Sequence, residues 1–405
     1  MATTSFLYHT LGLVGYRHLR TEFREGKVFH HVELERTKRR CRNCGARWQE
    51  LQLYGSFERQ FIGLPVGQRQ QYVVLHGHRQ CCGRCGECHR EPIGFASGQS
   101  RHLKAFARFV VELCEIAPIK QVAGFLGVGW DLVKEIFKRH LRRRLKRRKF
   151  SKLRYLAVDE FATRKGHQYM TVVMDLQSGA IVHAQPGKDA AALRGFLEKL
   201  KRAHAPLQAV AMDMSEAYLK AVREVLGERV EVVHDPYHVV ALANQAIDET
   251  RREMVRELEG EGKQVLKGSR FLLLSGQERL GETARERLDE LLKLNQPLHE
   301  VYLLKEQLRG FWAQPGVEAA TELLTQWIQQ ARACASQPFQ TLADTLESHR
   351  PGLLAYFRHP ISTGPLEGMN NKIKVLKRQA YGFRDMEYFK LRLFFLHEST
   401  YAISG

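Results

Sequence analysis

RYLAVDEFATRKGHQYMTVVMD, residues 154–175, contains two runs rich in apolar and β-branched side chains, 155–158 and 169–174, separated by a polar turn that includes Gly166. Short runs bounded by turn residues read as the two strands of a hairpin. The first run ends on Asp159 and Glu160. A carboxylate at the end of an apolar strand is costly to bury unless a partner or a cation offsets its charge. Asp159 is therefore the residue that the rest of the chain must account for.

Downstream, Ser178 and Gly179 make a turn, and AIVHAQ from Ala180 reads as a third strand. A helix follows at 189–201, with Ala191, Leu193, Phe196, Leu197 and Leu200 on its apolar side. LQAVAMDM gives a fourth strand ending at Asp213. A helix at 216–226 leads to RVEVVHD, a fifth strand ending at Asp235. Three strands in a meander followed by helix–strand alternation predict an α/β class, with a mixed sheet covered by helices on both faces. That order matches the ribonuclease-H-like fold. Residues 237–356 are charged, helical in pattern and free of strand signals, which predicts a helical insertion with Trp312 and Trp327 in its core. STGPLEGMNNKIKVLKRQAYGFRD (362–385) opens another helix. Ser362 or Thr363 caps it, Pro365 suits the first turn, and Glu367 sits just inside. The apolar stretch YFKLRLFFL (388–396) packs the last helix.

The chain has 405 residues, enough for two to four domains. Its formal net charge is +19, and its pI is about 9.7. That balance favours a polyanionic partner, most simply nucleic acid, although a basic ribosomal or membrane-surface protein shares it. No apolar run is long enough to span a bilayer, FLLLSG (271–276) being far too short, and no N-terminal signal is visible. A cytoplasmic, nucleoid-associated location with reduced cysteines is the expectation.

Six of the eight cysteines fall between Cys41 and Cys88. Such clustering suggests metal binding rather than a disulfide framework. CRNC supplies Cys41 and Cys44. QCCGRCGEC offers two further pairs of the right spacing, Cys82/Cys85 and Cys85/Cys88, of which Cys82 and Cys85 are preferred. Two such knuckles can hold a structural Zn²⁺ with no open position. The first 40 residues show one strand-like stretch, KVFHHVELE (27–35). Farther on, IKQVAGFLGVGWDLVKEIF (119–137) has Val122, Ala123, Leu126, Gly127, Val128, Val133 and Ile136 spaced for two helices crossing at a tight turn, a helix-turn-helix pattern. A plain helical hairpin is its rival. The second helix would start near Gly129 and expose Asp131, Lys134 and Lys138. It runs into KRHLRRRLKRRKFSKLR (138–154), which includes Arg142 and Arg143 and in which eleven of seventeen residues are Lys or Arg. Basic density extending a recognition helix favours phosphate contact, which gives affinity without sequence choice.

Three carboxylates stand out: Asp159, Asp213 and Glu367. In a ribonuclease-H-like sheet the first and fourth strands are parallel neighbours, and ligands bind at their C-terminal ends in open α/β sheets. Clustered acids repel unless a cation neutralises them, and Mg²⁺ suits oxygen ligands. Two ions roughly 4 Å apart can serve phosphodiester displacement. Asp175 and Asp235 are rival acids, assigned to turn and helix-cap roles. Glu160 should point to the opposite face from Asp159, and His238 is expected to be structural.

The chain resembles the DDE transposases of the bacterial insertion-sequence family usually called ISL-three. CRNCG, CCGRCGECHRE, QVAGFLGVGWDLV, VDEFATRKGHQYMTVVMD, VAMDMSEAY, VVHDPYHVV and GPLEGMNNKIKVLKRQAYGFR carry the resemblance, from about Cys41 to Phe395. It places the family's three acids on Asp159, Asp213 and Glu367. It also implies binding to terminal inverted repeats of double-stranded DNA, and Mg²⁺-dependent cleavage and joining to target DNA. Lys374, Lys377 and Arg378 would grip phosphates, and synapsis of two ends implies a homodimer or higher assembly. A silent DNA-binding regulator and a structure-specific nuclease on the same fold are the alternatives. The expected domains are 1–98 (zinc ribbon), 99–153 (helix-turn-helix and basic helix), 154–236 with 357–400 (catalytic), and 237–356 (helical insertion).

Overall fold

The computed structural model describes residues 2–146, 150–164, 168–257, 266 and 268–398. The Gly166 turn, residues 147–149 of the basic stretch, residues 258–265 and 267 of the insertion, and residues 399–400 lie outside the described residues. The chain divides into two compact units, one essentially residues 1–147 and the other 148–378 with 384–397.

The first unit opens with α1 (Ala2–Leu11), β1 (Tyr16–Arg24) and β2 (Lys27–Leu34). The helix and β1 were not anticipated. YRHLRTEFR is mostly polar, and it is held as an edge strand by antiparallel pairing with β2 rather than by an apolar run. β3 (Leu51–Ile62), β4 (Gln71–Cys82) and β5 (Cys88–Arg90) complete a sheet of order β1-β2-β4-β3, with β5 also on β4. Three helices follow: α2 (Lys104–Ile116), α3 (Ile119–Leu126) and α4 (Trp130–Leu145). α2 buries Phe106, Val110 and Cys114, one per helical turn. α3 stops because Gly127 takes the left-handed conformation at φ +61°, and the Val128 N–H returns to the Ala123 carbonyl at 3.0 Å. The turn is braced by Gln70, from the β3–β4 connection, which donates to the Leu126 carbonyl at 3.2 Å and to that of Gly127. A Cβ at position 127 would collide with the Gln70 amide.

The second unit contains β6 (Tyr155–Arg164), β7 (Gln168–Asp175), β8 (Ile181–Pro186), α5 (Ala190–Arg202), β9 (Ala209–Met212), α6 (Glu216–Leu226) and β10 (Glu231–His234). The sheet order is β10-β9-β6-β7-β8. β6, β9 and β10 are mutually parallel, while β7 and β8 are antiparallel additions. The class is mixed α/β. One prediction needs correcting: β6 does not stop at Asp159 but runs on to Arg164, because β7 continues to pair with it from Asp159↔Val172 to Arg164↔Gln168. Pairing with β9, by contrast, ends at Ala157↔Ala211. Leu156 and Val158 face a core shared with Leu193, Phe196 and Leu197 of α5 and with Tyr218 and Val222 of α6. Phe161 faces the other side, edge-on to Phe389.

Between β10 and the last helices the described residues are helical: α7 (Pro236–Glu257), α8 (Arg270–Leu274), α9 (Glu282–Lys293), α10 (Gln296–Arg309), α11 (Val317–Ala333), α12 (Gln337–Ser348) and α13 (Arg350–Leu354). They share one core in which Trp327 is fully buried and its indole N–H donates to the Leu304 carbonyl at 2.7 Å. Trp312 is only half-buried against that core. α14 (Gly364–Gln379) and α15 (Met386–Phe395) return to the sheet. Truncating a fully buried tryptophan costs about 3–5 kcal/mol. Trp327→Ala should therefore lower the apparent unfolding free energy by that amount in a urea titration followed by circular dichroism, with a smaller loss for Trp312→Ala. Equal losses would contradict this account of the core.

Candidate active site and metal centre

The parallel registers set the acids out in a row. β6 pairs with β9 as Tyr155↔Ala209, Leu156↔Val210 and Ala157↔Ala211. Extending the same offset by two residues brings Asp159 level with Asp213. β10 pairs with β9 as His234↔Met212, so Asp235 falls level with Asp213 on the other side. Three aspartates thus stand at corresponding heights, Asp213 and Asp235 just past the ends of β9 and β10 and Asp159 within β6 where its pairing with β9 has ended.

They are used differently. Asp235 is 2% exposed. One carboxylate oxygen accepts the Tyr237 N–H at 2.7 Å at the start of α7. The other accepts the Thr363 hydroxyl at 2.6 Å and the Thr363 N–H. Asp235 is thereby committed to anchoring two helix starts, including the one that carries Glu367. The Thr363 hydroxyl is spent as a donor to Asp235, so the polar atom available at that helix start is Ser362 Oγ, which accepts the Gly364 N–H at 3.3 Å. Asp175, the other rival, is occupied in its own turn, accepting the N–H groups of Gln177 and Ser178 and the Ser178 hydroxyl.

Asp159 and Asp213 keep capacity to spare. Asp159 accepts the Glu160 N–H at 2.8 Å and the Asn370 amide at 2.7 Å. Burial pushes its carboxyl above the ordinary aspartate value, and the charge of Asp213 pushes the same way. The Glu160 N–H, the His238 imidazole and Asn370 oppose them. Asp213 is half-exposed and accepts the Ser215 N–H at 3.1 Å. Glu160 does point to the opposite face, as strand alternation demands: the Tyr218 hydroxyl donates to it at 3.3 Å. Its carboxyl is nevertheless raised by burial, then by Asp213, then by Asp159. Asp213 therefore influences acids on both faces of β6.

Glu367 is exposed on the first turn of α14. The helix is registered on β6 by two contacts, Asn370 to Asp159 and the Lys377 ammonium to the Ala162 carbonyl at 2.6 Å. Seven helical residues rise about 10 Å, and three strand residues span about 10 Å, so the helix runs along the strand. Glu367 lies one turn before Asn370, on the same side of the helix. The three acids are not drawn into one tight ligand set: among the described residues, the group of metal-ligating atoms lying within 4.8 Å of one another is a set of four cysteines. Lys377 is half-buried over the Phe161 ring and bonded to the Ala162 carbonyl. Lys374 and Arg378 are exposed. Asn370 and His238 are the site residues that the sequence reading missed or undervalued. The visible signals were NN three residues past Glu367 and the final His of HDPYH, three residues past Asp235.

The four cysteines are Cys41, Cys44, Cys82 and Cys85. They sit in two knuckles of one design. In each, the glycine after the second cysteine has positive φ, +74° at Gly45 and +71° at Gly86. Its N–H returns to the first cysteine's carbonyl, and the first cysteine's own N–H bonds five residues on, Cys41 to Ala46 and Cys82 to Glu87. The motif is CxxCG, present in CRNCG and CGRCG and absent after Cys88, where His89 follows. That glycine distinguishes the Cys82/Cys85 knuckle from Cys85/Cys88, and the four sulfurs gathered there could hold a metal ion in a closed site. Cys81 and Cys88 face each other across the β4–β5 ladder and form a disulfide. The expectation that every cysteine is reduced is corrected for this pair by cross-strand proximity.

In the helix-turn-helix, α4 begins after Gly129 as expected. Lys134 lies over the Trp130 ring at 6.0 Å, and Arg142 and Arg143 are exposed. Lys138 is corrected: it is 7% exposed. The apolar stripe of Val133, Phe137 and Leu141 carries the neighbouring Lys138 inward with it, where it is engaged.

Comparison with known proteins adds independent findings. The family model DDE_Tnp_ISL3, described as a transposase, matches residues 156–393. A model described as the helix-turn-helix domain of transposase family ISL3 matches residues 91–141. The transposase for insertion sequence element IS1001 of Bordetella parapertussis is 35% identical over 359 residues, 87% of each chain. The transposase for insertion sequence element IS1557 of Mycobacterium tuberculosis is 30% identical over 384 residues, 85% of this chain and 83% of that one. A solved Drosophila P element transposase strand transfer complex aligns at TM-score 0.35 and 13% identity, over 63% of this chain and 79% of that chain, a likeness too slight to argue from.

The knuckle geometry makes a direct prediction. Cys44→Ser or Cys82→Ser should lose bound zinc when metal content is measured by emission spectrometry, whereas Cys88→Ser should keep one zinc per chain. Zinc loss in Cys88→Ser with retention in Cys82→Ser would reverse the ligand choice.

Proposed function

The chain belongs to the ISL3 family of transposases, and we propose that it cuts and joins DNA at a carboxylate site made by Asp159, Asp213 and Glu367 on a ribonuclease-H-like core. The observation that carries this reading is the β6–β9 register, which aligns Asp159 with Asp213. The helix bearing Glu367 docks against Asp159 through Asn370. Two neighbouring aspartates, Asp159 accepting one bond on each oxygen and Asp213 one bond in all, with Asp159 raised by burial and by the charge of Asp213, form the kind of donor set that hard divalent cations occupy. Asp159 and Asp213 would hold Mg²⁺, with Glu367 completing the set. Bound there, the ions would supply charge neutralisation and a nucleophilic oxygen for phosphodiester displacement.

The chain's own residues do the rest. Asn370 and the Glu160 N–H fix the orientation of Asp159. His238 offsets part of its charge. Asp235 sets where α14 begins and so how Glu367 approaches. Zn²⁺ in the Cys41/Cys44/Cys82/Cys85 site would stiffen the β4 end of the first unit. The helix-turn-helix would bring Lys134 to the terminal inverted repeats of the element, while Arg142 and Arg143 on α4, and Lys374 and Arg378 on α14, contact phosphates. The domain division follows: 1–98 and 99–153 for DNA binding, 154–236 with 357–400 for catalysis, and 237–356 as a helical insertion. Joining two element ends to a target requires at least a dimer on DNA, in the cytoplasm at the nucleoid.

Asp159→Asn tests the reading in two ways. It should retain binding to element-end DNA and lose Mg²⁺-dependent nicking of it; nicking at the parent rate would sink the assignment. The second test is thermodynamic. Because burial raises the folded-state carboxyl, the folded chain holds that proton more tightly than the unfolded chain does. The metal-free parent therefore loses stability as pH climbs from the unfolded value through the raised folded one. Asn cannot ionise, so the metal-free variant should melt above the parent at pH 7, with the gap closing below about pH 4.

A further inference from the structure

Within the first unit, a cavity of about 580 Å³ opens between α2 and the second half of α4. Its walls are two basic ladders. Lys104 and Arg108 stand one turn apart on α2, and Arg139 and Arg143 stand one turn apart on α4. Ala107, Val111 and Ile136 form an apolar floor, and Glu112 is the one acid in the lining. Like charges four residues apart repel along a helix, and here two such pairs share one concavity. Lys104 is partly satisfied by the Gly94 carbonyl at 2.7 Å. Arg108, Arg139 and Arg143 are exposed and have no carboxylate partner among the described residues. At the cavity wall, His102 is 7% exposed, and its Nδ1 is buried without a partner.

A chain gains nothing in stability from crowding unpaired cations into one concavity. The arrangement suits an incoming anion with several charges and oxygen acceptors. Recognition helices read bases with their N-terminal residues. Arg139 lies eight residues beyond Asp131, about 12 Å along the helix, at the level of backbone flanking such a contact. The geometry points to a phosphate-binding cleft that clamps the DNA backbone beside the tract met by the start of α4. This rests on the reading that the helix-turn-helix binds DNA, and it adds a second, sequence-independent contact to it. Arg108 and Arg139 act here together with Arg143.

The test is fluorescence anisotropy on a terminal-repeat duplex and a scrambled duplex, across a salt series, with full-length protein. Each lost phosphate contact lowers the slope of log affinity against log salt by about 0.9. R108Q/R139Q/R143Q should therefore flatten the slope by about 2.7 and weaken both duplexes by the same factor, since backbone contacts carry no sequence information. R108K/R139K/R143K should restore the slope. Matching melting curves and zinc contents would show that the variants are folded. An unchanged slope in the glutamine variant overturns the cleft, as does a loss confined to the terminal-repeat duplex. Lys134→Ala separates the two readings: it should reduce discrimination between duplexes and leave most of the salt slope. Failure of the parent to bind either duplex would overturn the helix-turn-helix reading and the cleft with it.

Discussion

The parallel pairing of β6 with β9 is the constraint on which the catalytic unit turns. Backbone hydrogen bonds fix the offset between the strands, and that offset brings Asp159 and Asp213 to one height. Two carboxylates so placed repel, and burial of Asp159 removes the water that would screen them. Donors reach them one at a time: an N–H from Glu160, an N–H from Ser215 and an amide from Asn370. Each orients an acid without cancelling its charge. What remains is an excess of negative charge near the end of β9, which the His238 imidazole offsets in part.

Asp235 shows how the same row of acids can be divided between chemistry and architecture. Its register makes it equivalent to Asp213, yet it is sealed by Tyr237 and Thr363. Those bonds fix the first residues of α7 and α14. One helix leads into the helical insertion, and the other carries Glu367, Asn370 and Lys377. The insertion builds its own core around Trp327, so its 17-residue helix α11 and its neighbours do not depend on the sheet for burial. Thr363 brings the chain back to Asp235 after that excursion. A buried carboxylate with both oxygens in use is thus what ties the two ends of the insertion to the same edge of the sheet.

Much of this was legible in the sequence. The five strands, the helix at 216–226 and the start of α4 after Gly129 all follow from apolar period and turn residues, which act locally. What escaped depends on contacts between distant segments. β6 runs past Asp159 because β7 supplies partners, and nothing in its own pattern announces that. β1 is strand because β2 pairs with it. Lys138 and Lys377 look like free cations in a basic stretch, but the stripe of α4 and the carbonyl of Ala162 claim them. The cysteine ambiguity had a local answer, the glycine that follows Cys44 and Cys85, because only a residue tolerant of positive φ closes that turn. Asn370 could be found only by knowing which strand α14 would lie against.

The distribution of charge completes the argument. The chain carries +19 overall, yet its site is a cluster of acids that by itself would repel a phosphodiester. Exposed cations lie elsewhere, on α2 and α4 of the first unit and at Lys374 and Arg378 of the second. The proposed function would separate attraction from chemistry along the chain: affinity would come from many weak, screened contacts spread over helices, and reactivity from a few carboxylates placed by strand register. A basic active site would hold its phosphate more tightly and would lack oxygen ligands for a cation. In the proposed reading the acids would accept that repulsion, and the basic helices would offset it.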